Sequence, residues 1–210
     1  MSHPSPIRRI FDERTLTALP RMDNTKMDGT KMEAAFSMTG VVIWITGLPS
    51  SGKSTLGEGV RRGLGAATIA SCLLDGDALR LALHPAPGYD EAGRNDFYRT
   101  LGELAALLAS QRLAVVVAAM AHRRSYRAHA RARPPSSRCW STSIERPARD
   151  PKGLYAAHRD GALRGLPRGD LPFERPERPE ITARGGHGTD AVAQIVEAAR
   201  RVMQPGPGAS

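Results

Sequence analysis

The chain has 210 residues, 40% of them hydrophobic, and a formal net charge of +9, which suits one domain with a sizeable core. No apolar run reaches the length of a membrane span, and no charged start followed by an apolar stretch marks a signal peptide, so a cytoplasmic protein is expected. The basic residues are nearly all Arg, are scattered, and have few aromatics among them, which argues against a nucleic-acid surface; Cys72 and Cys139 match no metal or disulfide spacing.

Residues 1–37 are polar, lack sustained periodicity and contain the self-similar stretch TKMDGTKME (Thr25 to Glu33). They read as a disordered extension, or as the product of a misassigned start, ahead of a core beginning at Met38. Val41 to Thr46 (VVIWIT) is an apolar, β-branched run of the kind that forms a buried parallel strand. Directly after it, Gly47 to Ser54 reads GLPSSGKS, which fits the phosphate-binding pattern G-x-x-x-x-G-K-[ST]. Gly47 and Gly52 let the backbone turn so that successive N–H groups face phosphate oxygens. Lys53 then supplies a cation to the β and γ phosphates, and the Ser54 hydroxyl is left for Mg²⁺. A helix over Thr55 to Leu64 adds partial positive charge at its N-terminus. The nucleotide is therefore expected on Gly47, Leu48, Pro49, Ser50, Ser51, Gly52, Lys53, Ser54 and Thr55.

Ala67 to Leu74 reads as a second strand and leads into Asp75-Gly76-Asp77-Ala78-Leu79-Arg80. A carboxylate at the C-terminal end of a parallel strand faces the crevice where ligands bind, which suits Asp75; Asp77 reads as the N-cap of the next helix. Arg94 to Gln111 carries Phe97, Leu101, Leu104 and Leu108 at helical spacing, and Leu113 to Ala118 (LAVVVA) is another buried strand. Strands alternating with helices predict an α/β fold with a parallel sheet and right-handed crossovers.

GLPSSGKST, LDGDALR, DPKGLY (Asp150 to Tyr155) and FERPERPEI (Phe173 to Ile181) stand in the order and approximate spacing of adenylyl-sulfate kinases. Over roughly Gly40 to Val202 the chain resembles this family of P-loop small-molecule kinases, which use ATP and Mg²⁺ to phosphorylate the 3'-hydroxyl of adenosine 5'-phosphosulfate (APS), making PAPS. The resemblance implies a kinase domain over 38–203, a lid at about 150–180 and a tail at 204–210. It casts Lys53 and Asp75 as catalytic, Asp75 orienting or deprotonating the acceptor hydroxyl. Arg80 and Arg94 would grip the phosphosulfate, and Tyr89 would take the place of a Phe that stacks on the substrate adenine. Lys152 and Leu154 would belong to the lid. For Arg99, substrate contact and solvated surface charge stand even. The partner expected is a small nucleotide substrate, with no nucleic acid or membrane, and a homodimer is left open.

The chain departs from the family pattern in three places. Phe97 replaces an Asn, and Ala121-His122-Arg123-Arg124 replaces Ser-Pro-Tyr-Arg, which removes a phosphorylatable serine. A kinase for another small hydroxylated acceptor, or a catalytically impaired nucleotide-binding module, therefore stays open. His122 reads as flanking a helix rather than as a base, while Arg123, Arg124 and Arg127 could contact phosphate. Where the fold calls for a strand before DPKGLY, Arg133 to Arg149 is rich in Pro, Ser and Arg and has no strand period. The codons available to Arg138–Ser143, read two bases later, give VLVDV, and Ser136 and Ser137 add Val-Glu. Compensating frameshifts and a loop insertion are the two explanations.

Overall fold

A computed structural model describes residues 40–131, 137–145, 154–161, 171–177, 179–184 and 188–203, with only the backbone for 129–131, 137–145, 154–155 and 184. The chain divides into two units, Met1–Phe36 and Ser37–Ser210. The first, and with it almost all of the expected extension, lies outside the described residues.

Five parallel strands form one sheet in the order β2-β3-β1-β4-β5: β1 (Gly40–Thr46), β2 (Ser71–Asp75), β3 (Ala114–Ala118), β4 (Ser137–Glu145) and β5 (Ile181–Arg184). The expected strands at 41–46, 67–74 and 113–118 are thus present, the second being shorter and starting later. Every residue of β1 and β3 is buried, as a β-branched run covered on both faces should be. Side chains alternate across β1. Val41, Ile43 and Ile45 pack with Leu56, Val60 and Leu64 of α1 (Lys53–Ala66) and with Ile195 and Met203 of the C-terminal helix (Thr189–Met203). Val42 and Trp44 pack on the other face with Phe97, Leu101 and Ala105 of the long helix Glu91–Ser110. Three layers follow from a period of two in the strands set against a period of 3.6 in the helices. In chain order the remaining helices are α2 (Gly76–Ala82), α3 (Glu91–Ser110), α4 (Arg124–Arg131), α5 (Leu154–Arg159) and α6 (Thr189–Met203).

One close approach fixes α3 against the sheet. A Cβ on Gly40 would stand 1.9 Å from the Ala109 carbonyl oxygen, so only glycine lets β1 begin where α3 ends.

The expectation that the segment 133–149 lacks a strand is corrected. Ser137–Glu145 is β4, paired with β1 from Gly40↔Ser137 to Thr46↔Ser143 and with β5 from Thr142↔Ile181 to Glu145↔Arg184. A parallel strand is held by backbone bonds to both neighbours, and the slot between β1 and β5 outweighs the weak local propensity of a Ser- and Arg-rich stretch. The loop-insertion reading therefore fails for these nine residues.

Candidate active site

The phosphate loop lies between the C-terminal end of β1 and the start of α1, on the edge where parallel α/β sheets bind ligands. Gly52, the N-cap of α1, has φ +94° and offers no side chain to the first turn, so the helix start keeps its N–H groups for an anion. Ser50 also sits in the left-handed region, at φ +58°. Lys53 Nζ donates to the Leu48 carbonyl (2.7 Å), which folds the side chain back over its own loop.

Asp75 ends β2 beside this loop, and Ser54 Oγ donates to its Oδ2 (2.6 Å). Its Oδ1 accepts from the backbone N–H groups of Asp77 (3.0 Å) and Ala78 (3.2 Å). Asp75 is thus the N-cap of α2, and the expectation that Asp77 fills that role is corrected: Asp77 lies in the first turn. An N-cap takes extended dihedrals, and Asp75, as the last residue of a strand, already has them (φ −81°, ψ 127°). The two hard oxygens of Ser54 and Asp75, converging beside a phosphate loop, are the donor type Mg²⁺ takes.

On the other side of α2, the Arg80 guanidinium lies over the Tyr89 ring (4.5 Å to the centroid) and the Phe97 ring (4.0 Å). Its Nη1 donates to the Pro87 and Gly88 carbonyls, both at 3.0 Å. Tyr89 is 70% exposed. Arg94 lies in the first turns of α3, which Asp90 caps by accepting from Gly93 N–H; its charge disfavours protonation of the His122 imidazole and favours the Tyr98 phenolate. Arg99 points outward and pairs with Asp96 at 3.5 Å, half-exposed on the surface. Leu154 opens α5, and Lys152 lies outside the described residues.

Sequence reasoning missed an aromatic cluster behind these arginines. Tyr98 stacks on Tyr126 (4.4 Å, 19°), and the His122 ring stands edge-on to Tyr126 at 5.3 Å. Tyr98 Oη accepts the Ala121 N–H (3.0 Å), and Tyr126 Oη donates to Asn95 Oδ1 (2.9 Å). Burial pushes the Tyr98 phenol up to about 12. His122 is 1% exposed, its Nδ1 is buried without a hydrogen-bond partner among the described residues, and burial, followed by the Arg94 guanidinium, pushes it down to about 4. It flanks α4, as expected.

Arg123, Arg124 and Arg127, expected as candidates for phosphate contact, each hold partners within the chain. Arg123 pairs with Glu91 (2.6 Å) and Arg124 with Glu177. Arg127 donates to the Ala121 carbonyl and, at 2.6 Å, to the Glu174 carbonyl. Glu174 also donates its N–H to the His122 carbonyl (2.8 Å), and its Oε2 accepts the Arg124 N–H (2.6 Å). The start of FERPERPEI is thereby fastened to the corner between β3 and α4. No sequence signal marks Glu174 for this role beyond its place in the motif.

Among the described residues no helix is long and apolar enough to cross a membrane. A groove of about 490 Å³ lined by Ile181, Gln194, Glu197, Ala198, Arg201 and Val202 includes none of the residues above; its position between β5 and α6 gives it no part in phosphate chemistry.

A parallel five-stranded sheet with a phosphate loop after β1 and a carboxylate after β2 defines an ATP-dependent P-loop kinase. Within that class the chain belongs to the adenylylsulphate kinase family, whose sequence profile matches residues 39–184. Adenylyl-sulfate kinase from Citrobacter koseri is 36% identical over 175 residues, 80% of this chain and 87% of that protein. The bifunctional enzyme NodQ of Azospirillum brasilense is 39% identical over 145 residues, covering 67% of this chain and 23% of that one. The Mycobacterium tuberculosis APS kinase CysC, solved with AMPPNP and APS, superposes with a TM-score of 0.71 at 30% identity, over 78% of this chain and 99% of that one.

Proposed function

We propose that this chain transfers the γ-phosphoryl group of ATP to the 3'-hydroxyl of APS, forming PAPS for sulfate assimilation. The observation that carries this reading is the 2.6 Å hydrogen bond from Ser54 to Asp75, which sets the end of β2 against the phosphate loop in a member of this family. Phosphoryl transfer needs little covalent chemistry from the protein and much positioning and charge neutralisation. The backbone of Gly47 to Thr55 holds the ATP phosphates, and Lys53 exchanges the Leu48 carbonyl for the transferring group. Asp75, anchored by α2, orients the acceptor hydroxyl. Arg80 and Arg94 hold the phosphosulfate, Tyr89 receives the adenine, and Lys152 and Leu154 belong to the segment that closes over both nucleotides. Mg²⁺ suits Ser54 directly and Asp75 through water, and when bound it neutralises charge on the β and γ phosphates. The catalytic unit runs over 38–203; a cytoplasmic location and a homodimer accompany this reading.

ATP consumption, measured with APS beside a panel of sugar, nucleoside and sugar-acid acceptors, tests it. PAPS formation at a kcat/KM at least a hundredfold above that for the other acceptors is expected. Preference for a non-nucleotide acceptor would replace APS as the substrate, and ATP binding without turnover on any acceptor would leave a binding module.

A further inference from the structure

The Arg80 guanidinium lies between two rings with opposite surroundings. Phe97 is 3% exposed and is held edge-on by Tyr98 (5.3 Å, 67°), whose hydroxyl is itself fixed by the Ala121 N–H. Tyr89 is 70% exposed and belongs to the loop between α2 and α3. The guanidinium links the two, 4.0 Å from the Phe97 centroid and 4.5 Å from that of Tyr89, and the same side chain donates to the Pro87 and Gly88 carbonyls. A planar cation held by two ring faces and two carbonyls loses the freedom that an exposed Arg ordinarily keeps. Core order is thereby passed outward to an exposed loop.

We propose that Phe97 is a positioning residue that acts through Arg80 to hold the Pro87–Tyr89 loop in the form that receives the acceptor. The inference rests on the kinase reading and deepens it, since a loop presenting an aromatic ring beside a guanidinium selects an acceptor that joins a planar base to an anionic group. A small polyol or sugar acid offers the anion or the hydroxyl and no base. Phe97 itself touches neither substrate: it is buried, and its ring face is occupied by Arg80. The polar residue that the family pattern has at this position would supply no ring face, so the brace is a property of this chain.

The test compares Phe97→Leu, which keeps apolar bulk and removes the ring face, with Phe97→Tyr, which keeps the ring; Phe97→Met replaces the leucine variant where that one fails to fold. Phe97→Leu is expected to raise the KM for APS about tenfold, the scale of a partly desolvated cation–π contact, with kcat and the KM for ATP within twofold. Phe97→Tyr is expected to restore it. Two readouts are independent of turnover. The Arg80 Nε–H proton signal, shifted upfield by the rings, is expected to move downfield in Phe97→Leu, and amide exchange at Gly88 and Tyr89 is expected to quicken; both return in Phe97→Tyr. An unchanged KM for APS, or parallel losses in both KM values and in melting temperature, would overturn the proposal, as would failure of Phe97→Tyr to restore the signals. Were the parent chain to phosphorylate no acceptor, the kinase reading would fall by itself, and unmoved Arg80 and exchange signals would still refute the brace.

Discussion

The proposed function has Lys53 supply charge and Asp75 orientation, and substitution separates the two roles. Lys53→Ala removes the cation from the transferring phosphate, and kcat is expected to fall on the order of a hundredfold or more while the far-ultraviolet circular dichroism stays as in the parent. Turnover near the parent rate would contradict the phosphate-loop assignment. Asp75→Asn keeps the side chain's shape and one acceptor oxygen for the α2 N-cap but loses the charge. It should lower kcat by roughly one to three orders of magnitude with a change of no more than a few-fold in the KM for ATP; a purely structural role would instead lower the melting temperature and spare kcat. The Asp-Gly-Asp stretch shows how far residues alone carry the reading. Both carboxylates are cap formers, and which one caps depends on where β2 ends. The strand runs through Asp75 itself, so the first carboxylate caps and the second enters the helix. Arg80 and Arg94 were marked by their motif, whereas the partners that hold Arg80, a ring on α3 and two loop carbonyls, are brought together only by the fold.

At the scale of elements, the corner between β3 and α4 carries a built-in acid sensitivity. His122 titrates near 6.5 when solvated and is held at about 4 in the folded chain. Between those values the unfolded chain binds a proton that the folded chain refuses, so stability is unaffected above about pH 6.5 and falls as the pH drops toward 4. The full loss amounts to at most about 3 kcal/mol. Urea midpoints taken from pH 7 to pH 4.5 should therefore drop more steeply for the parent than for His122→Gln; equal slopes would show that the imidazole is not sequestered. The strand that the sequence hid is the second case. Buried strands β1 and β3 announce themselves by unbroken β-branched runs, while β4 is set by pairing with β1 and β5 and has no such run. If the alternative frame is the ancestral one, a chain carrying VEVLVDV across this stretch should melt several degrees higher, each added buried apolar side chain contributing about 1.5–3 kcal/mol. Mass spectrometry of the native peptide decides which frame is translated, and an unchanged or lower melting temperature would remove the stability argument.

For the molecule as a whole, the sheet, its parallel sense and the nucleotide edge were legible because buried strands and the phosphate loop are local patterns in which each residue reports on itself. The tethering of Phe173 to Glu177 was not legible, since it joins residues about fifty positions apart through backbone groups. Arg124 N–H, Arg127 Nη2 and the His122 carbonyl all meet Glu174. Local unfolding is expected to open those two stretches as one cooperative unit. The Arg124 and Glu174 amide hydrogens, which bond to the Glu174 carboxylate and the His122 carbonyl, should exchange together, and Glu174→Ala, which removes the carboxylate bond to Arg124 N–H, should quicken exchange at both positions in the same time course. Independent exchange at the two places would mean that the hydrogen bonds join them without making them share a fate.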